Sequence, residues 1–239
     1  MFSAFRRHHR VFVLLAFVLG ASGPVRAEVV RAEGYELYVP SGLEIGKRVP
    51  LVLVLSPTGD TEAMWTVWFP VVSKRRWFLM GSTRYANDRI QPFAPWVKAI
   101  GNDLEAVTAK YPIDTHFIIA GGLSGGGSAS YLLAHEYPTT ISAVVANTGR
   151  IWEVLDGELP AFVRREEIRK RQGLPQSTAV LLASPTDFRY KDMQDDLSFL
   201  TRAGWRTKWI EFPGGHELAP ESVYEEAIQW LSGQLGIAQ

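Results

Sequence analysis

Short apolar runs alternate with longer amphipathic stretches along most of the chain. Seven largely apolar runs predict buried strands at 35–39, 51–55, 77–80, 117–120, 141–146, 179–183 and 207–212. Between them, apolar residues recur at helical spacing, which predicts helices at about 61–72, 95–110, 160–171, 191–203 and 222–235. Such alternation is typical of a mostly parallel, twisted sheet that is covered by helices on both faces. The sequence therefore predicts an α/β fold.

The strand at 117–120 leads into a Gly-x-Ser-x-Gly element centred on Ser124. This pattern places a serine on a sharp strand-to-helix turn, where side chains two positions before and after it would collide. Glycine at 122 and 126 removes that collision. A glycine-rich phosphate loop is the alternative, but such a loop carries a lysine beside its Ser or Thr, and none stands here. Ser124 is therefore the candidate nucleophile.

An acid and a histidine follow Ser124 in the order that a catalytic triad on this kind of turn requires. Asp187 comes just after the strand at 179–183, and His216 follows the strand at 207–212 through Pro-Gly-Gly. The intervals are 63 residues (187 − 124) and 29 residues (216 − 187), which leave room for the intervening helices and strands. Asp192 and Asp195 are alternative acids, but both lie within the predicted helix at 191–203.

These features resemble the small secreted α/β-hydrolases that include dienelactone hydrolases, polyhydroxybutyrate depolymerases and feruloyl or acetylxylan esterases. The resemblance runs from about 35 to 235 and rests on residues 35–40, 51–55 and 122–126, on Asp187, and on residues 213–216. It implies the α/β-hydrolase fold in a single domain, residues 28–239. It also implies a cofactor-free serine esterase in which Ser124, His216 and Asp187 hydrolyse a carboxylic ester through an acyl-enzyme.

The predicted oxyanion hole departs from this family. Members usually follow the first buried strand with His-Gly, whose loop provides the second backbone donor, whereas this chain has Ser-Pro-Thr-Gly-Asp at 56–60. By position, the resemblance implies that the amide of Thr58 acts together with that of Gly125. Pro57 has no N–H and cannot donate.

The region between the strands at 141–146 and 179–183 contains one predicted helix, which is too little for a lid of several helices. We therefore expect a minimal lid and an open site that takes a small ester or the end of a polymer. Trp152, just after a strand end, is the candidate for lining the substrate pocket. Trp65, Trp68 and Phe69 have helical spacing and are expected to pack in the core.

Residues 1–27 have the features of a secretory signal peptide. Three arginines precede the apolar run 11–20, and small residues stand before a cleavage point after Ala27. A membrane anchor is the alternative, but the run is shorter than the roughly 20 residues of a span. We expect a secreted or periplasmic protein without stable membrane insertion after cleavage. Its charge is then (25 − 4) − 25 = −4, which argues against nucleic acid as a partner.

The remaining polar residues favour structural interpretations. The chain has no cysteine, and no histidine–acid cluster has the spacing of a metal site, so no metal is expected. The basic run at 164–171 is interleaved with acids and predicts a solvated helix face. His116 and His135 are predicted to lie far from Ser124. Two other functions remain open, namely a serine peptidase of the same fold and a non-catalytic binding protein.

Overall fold

A computed structural model describes residues 27–151 and 159–237. Eight strands form one sheet in the order β1-β2-β4-β3-β5-β6-β7-β8. The strands are β1 (Glu28–Ala32), β2 (Tyr35–Val39), β3 (Val49–Leu55), β4 (Phe78–Ser82), β5 (Ile113–Leu123), β6 (Ile141–Asn147), β7 (Thr178–Ala183) and β8 (Arg206–Glu211).

Strand direction gathers several strand ends at one edge of the sheet. Strands β3 to β8 run parallel to one another, whereas β2 pairs antiparallel with both β1 and β4. The carboxyl ends of β3, β5, β6, β7 and β8 therefore meet along one edge, where ligands bind in open α/β sheets. The prediction of a mostly parallel sheet is confirmed.

Two helical layers cover the sheet. The helices are α1 (Glu62–Lys74), α2 (Phe93–Lys110), α3 (Gly125–Glu136), α4 (Leu159–Arg171), α5 (Tyr190–Arg202) and α6 (Glu221–Leu235). Helices α1 and α6 pack together, with Trp68 against Tyr224 at 4.9 Å between ring centroids. On α4, Phe162 packs against His135 of α3 and Phe199 of α5. Because α5 and α6 both pack on β7 and β8 without extensive contact between them, the two layers lie on opposite faces.

Burial on both faces explains the apolar strands. Every residue of β3, β4, β6 and β7 is buried. A strand covered by helices on both sides has no solvent face, so its sequence does not alternate. The predicted strands and helices therefore match the structure closely in the centre of the sheet.

The largest differences from the predicted elements lie where burial is low. Strand β1 was not predicted, because most of its residues are exposed and its Val29 has 47% of its surface in solvent. Strand β5 begins at Ile113 rather than at 117, and its first residues include the exposed Thr115 and His116. Backbone pairing with β2, which leaves no apolar pattern, defines β1. In the early part of β5, Ile113 pairs with Val49, and the register then shifts before pairing resumes at Ile118.

Candidate active site

Ser124 occupies a strained turn between β5 and α3. Its φ of 53° and ψ of −119° lie outside the regions that L-residues ordinarily adopt. A Cβ on Gly122 would lie 2.4 Å from the carbonyl carbon of Gly126, and one on Gly126 would lie 2.1 Å from the carbonyl oxygen of Leu55. The two glycines thus let the turn close on itself and on the end of β3. This is the collision that the sequence pattern implied, with a second one against β3.

The side chains of Ser124, His216 and Asp187 form one hydrogen-bonded chain. His216 Nε2 lies 2.7 Å from Ser124 Oγ, and His216 Nδ1 lies 2.7 Å from Asp187 Oδ2. The Asp187 side chain is fully buried, and its Oδ1 accepts a bond of 2.7 Å from the backbone N–H of Arg189. With Nδ1–H donating to this carboxylate, neutral His216 presents Nε2 as the acceptor for the serine proton.

The alternative acids lie elsewhere. Asp192 and Asp195 are both on α5, as predicted. Asp192 pairs with Arg150 at 3.2 Å, and Asp195 pairs with Lys191 at 3.2 Å. Neither carboxylate has a hydrogen bond to His216, so the geometry favours Asp187 as the partner of the imidazole.

Asn147, at the end of β6, holds the turn of Ser124 and the loop of His216 together. Its backbone carbonyl accepts from the N–H of Ser124 at 2.8 Å. Its buried side-chain amide donates to the carbonyl of Glu217 at 2.9 Å and accepts from the N–H of Ala219 at 2.7 Å. Tyr224 of α6 also donates to the amide oxygen at 2.7 Å. Sequence reasoning missed this role, for which the signal was a polar residue at the end of an apolar strand.

The two predicted oxyanion donors lie at the same sheet edge, Thr58 on the loop after β3 and Gly125 at the start of α3. Gly125 is the first residue of α3, where backbone N–H groups are not used by the helix. Thr58 is exposed, and its N–H makes only a long bond of 3.3 Å to Ser56 Oγ. The Thr58 hydroxyl lies 3.0 Å from the same Ser56 oxygen. Donation by these two amides to a substrate stays a prediction.

Two further residues, Tyr85 and Asn87, occupy the space where Gly125 lacks a side chain. A Cβ on Gly125 would lie 1.9 Å from Asn87 Oδ1 and 2.4 Å from the Tyr85 hydroxyl. The Tyr85 hydroxyl donates to Asn87 Oδ1 at 2.6 Å, and the Asn87 N–H donates to the carbonyl of Pro57 at 2.8 Å. The loop that carries them is thus tied to the loop of Thr58. Nothing in the sequence connects residue 85 with residue 125, so sequence reasoning missed both.

The other described histidines do not meet Ser124. His135 is buried in the last turn of α3, and its Nε2 lies 3.1 Å from Arg165. Burial, with a smaller effect from the charge of Arg165, lowers the pKa of His135 to about 4, so the ring is neutral near pH 7. His116 lies in the exposed first part of β5, beside Asp114.

The aromatic residues divide between the core and the site. Trp68 is fully buried, as predicted for a core residue of α1, and the half-buried Trp65 stacks on Phe69 at 6.3 Å. The prediction that Phe69 packs in the core is wrong, because 39% of its surface is exposed. Phe188 has 74% of its surface exposed and packs on His216 at 4.6 Å between ring centroids. Trp152 lies outside the described residues. Phe188 is thus the exposed aromatic side chain that borders the imidazole.

Helix α4 does not cover the site. It packs through Phe162 against Trp205 at 5.9 Å, as well as against α3 and α5. Residues 152–158 of the same connection lie outside the described residues. In the described ranges, no three His, Asp or Glu side chains cluster in a way that would hold a metal ion. Within those ranges, no helix combines the length and apolar character of a membrane span.

Comparison with known proteins identifies the fold. Neither the protein-family models nor the curated proteins gave a match to the chain. Among solved structures, a ferulic acid esterase aligns with a TM-score of 0.62 at 15% identity, covering 89% of this chain and 98% of that one. An S-formylglutathione hydrolase from Staphylococcus aureus aligns with a TM-score of 0.61 at 12% identity, covering 89% and 98%.

A peptidase has a similar domain within a longer chain. The acylaminoacyl peptidase of Pyrococcus horikoshii aligns with a TM-score of 0.60 at 14% identity, covering 89% of this chain but only 41% of that one. At such identities, the similarity concerns architecture. The chain has the α/β-hydrolase fold.

Proposed function

We propose that the protein is a serine hydrolase that cleaves carboxylic esters through an acyl-enzyme. The observation that carries the proposal is the hydrogen-bonded chain Asp187–His216–Ser124, with both links at 2.7 Å and the serine on a positive-φ turn. A buried acid, an imidazole and a strained serine in this arrangement are what nucleophilic acyl transfer requires.

In the proposed acylation step, His216 Nε2 takes the hydroxyl proton as Ser124 Oγ bonds to the ester carbonyl carbon. The carbonyl oxygen becomes an oxyanion, which accepts from the amides of Gly125 and Thr58. When the tetrahedral intermediate collapses, the bond to the alcohol oxygen breaks and His216 returns its proton to that oxygen. Asp187 keeps the imidazole in the correct tautomer and stabilises the imidazolium.

In the proposed deacylation step, a water molecule takes the place of the alcohol. The water oxygen attacks the acyl carbon as His216 Nε2 accepts a proton from the water. Collapse breaks the bond to Ser124 Oγ, which recovers the proton from His216, and the carboxylic acid leaves. No cofactor takes part in either step.

The proposed substrate is a small ester or the exposed end of a polymer. Helix α4 packs beside α3 and α5, which leaves His216 with 29% of its side-chain surface exposed. The ring of Phe188, next to the imidazole, provides an apolar surface for the substrate. An open site of this kind favours small or terminal ester groups over long, enclosed acyl chains.

We also propose that residues 1–27 direct the chain out of the cytoplasm and are then removed. The support is the arginine-rich start, the apolar run 11–20, and the small residues Val25 and Ala27 at the cleavage positions. N-terminal sequencing of the protein recovered from outside the cytoplasm should begin at Glu28. A mature protein that retains Met1 would contradict this proposal.

Replacing the nucleophile tests the proposed reaction. Ser124→Ala should abolish labelling by a fluorophosphonate probe and lower hydrolysis of 4-nitrophenyl acetate by several powers of ten, because the acyl-enzyme can no longer form. The wild type should cleave this ester much faster than the matching 4-nitroanilide. Faster amide cleavage would favour a peptidase, and an unreactive, folded wild type would favour a binding protein.

A pair of acid variants tests the triad acid. Asp187→Asn should lower kcat by about 10⁴, because an amide stabilises the wrong imidazole tautomer. Asp192→Asn is the matched control, since it changes a nearby acid that pairs with Arg150. Its kcat should stay within a few-fold of the wild type. Equal losses in the two folded variants would argue against Asp187.

Asn147 is expected to act as a positioning residue. Asn147→Ala removes the bonds to the His216 loop, and a displacement of about 1 Å at the reacting atoms costs on the order of 10² in rate. We therefore expect kcat and the rate of fluorophosphonate labelling to fall together, with a much smaller change in KM.

The control for Asn147 is Ser142→Ala, on the same strand β6. This change removes a buried hydrogen bond of 3.0 Å from the Ser142 hydroxyl to the carbonyl of Ile118 on β5. This variant should lose stability without a specific loss of kcat. Urea unfolding identifies conditions in which both variants are folded. A folded Asn147→Ala protein with wild-type kcat would show that the His216 loop is positioned by other contacts.

A further inference from the structure

The side chain of Arg189 lies beside the proposed triad. Arg189 comes two residues after Asp187, caps the start of α5, and donates its backbone N–H to the Asp187 carboxylate. Its guanidinium carbon lies 5.4 Å from the ring centroid of Phe188. The imidazole of His216 also packs on that ring, at 4.6 Å between ring centroids. Backbone and side chain together thus fix Arg189 at the edge of the site.

The guanidinium of Arg189 has no acceptor among the described residues. None of its nitrogens makes a hydrogen bond or an ion pair there, and Nη1 is fully buried. Burial lowers the pKa of Arg189, which is the expected response of a cation withdrawn from water. Leaving a buried donor without an acceptor is energetically unfavourable. A cation kept in this state at an active site is poised for an acceptor that arrives with the substrate.

The neighbouring acids are already engaged. Both oxygens of Asp187 have donors, one from His216 and one from the Arg189 backbone. Asp192 accepts from Arg150, a second cation close enough for its charge to act on Arg189. Both carboxylates are therefore already paired with other donors, and neither makes a bond to the guanidinium of Arg189.

The position of Arg189 relative to the triad follows from Phe188. The guanidinium lies over the ring of Phe188, and the same ring packs on the imidazole of His216. The charge of Arg189 also acts on the phenol of Tyr85, whose oxygen would lie 2.4 Å from a Cβ on Gly125. The guanidinium therefore borders the side of the site that Phe188 and His216 form.

We propose that Arg189 binds a carboxylate of the substrate, so that the enzyme prefers esters that carry a free carboxylate on the acyl or the alcohol part. This inference rests on the proposed function, since it assigns a substrate class to the same site. A guanidinium offers two parallel N–H donors to a carboxylate, and a half-buried one does so in a region of reduced dielectric. Phe188 supplies the adjoining apolar surface.

The experiment uses two matched pairs of esters with the mature protein. The acyl pair is 4-nitrophenyl hydrogen succinate and 4-nitrophenyl butyrate, and the alcohol pair is 4-acetoxybenzoate and its methyl ester. For each pair, the selectivity is the ratio of kcat/KM for the anionic ester to that for the neutral ester. In the wild type, at least one selectivity should exceed the ratio of the hydroxide-catalysed rates and should fall as NaCl is added.

Arg189→Gln should lower that selectivity by about 10- to 100-fold, the usual effect of one hydrogen-bonded charge pair. Arg189→Lys, which keeps the charge but not the two-pronged geometry, should fall in between. Arg202→Gln is the matched control, because it removes an exposed arginine from the last turn of the same helix. It should leave both selectivities unchanged.

The outcomes separate this inference from the proposed function. A wild type that hydrolyses neither neutral ester and takes up no fluorophosphonate would overturn both. A wild type that hydrolyses the neutral esters but shows no selectivity above the hydroxide reference in either pair overturns the carboxylate site alone. So does an Arg189→Gln variant in which both members of each pair lose activity equally, since that result indicates positioning of Asp187 rather than binding.

Discussion

The buried amide of Asn147 is the interaction on which the geometry of the site depends. Ser124 belongs to a turn fixed by the sheet, whereas His216 belongs to a loop with no regular structure. The Asn147 backbone bonds to the turn of Ser124, and its side chain bonds to the loop at Glu217 and Ala219, just after His216. Tyr224 completes the amide's bonding from α6. The loop of His216 is thus anchored to the buried end of β6 and to α6, although it lies at the sheet edge.

Most charged groups around the site have hydrogen-bond partners within the protein. The Asp187 carboxylate is buried but has two donors, so its charge is stabilised without water. Arg150 and Asp192 neutralise each other a short distance away. Arg189 differs from these groups because its guanidinium is half buried and has no acceptor in the described chain. That difference, rather than an excess of positive charge, distinguishes it as a binding group.

Sequence reasoning located Ser124, Asp187 and His216 because their signals are local. Each follows an apolar strand, and a parallel sheet brings such strand ends to one edge. Asn147, Tyr85 and the role of Arg189 left no comparable signal, since their importance depends on contacts between segments distant in sequence. The antiparallel strand β1 was missed for a different reason. Its backbone is paired, but its side chains are exposed, so no apolar pattern records it.

Because Gly125 has no side chain, another part of the chain occupies the space beside the nucleophile. Tyr85 and Asn87 fill it from the loop after β4, which is separate in sequence from the turn of Ser124. Tyr85 is fully buried and Asn87 is exposed, so a substitution at Asn87 changes the surface beside the turn without changing the glycines that shape it. The turn of Ser124 and its lining thus come from separate segments of the chain, and the lining is open to change while the nucleophile stays fixed.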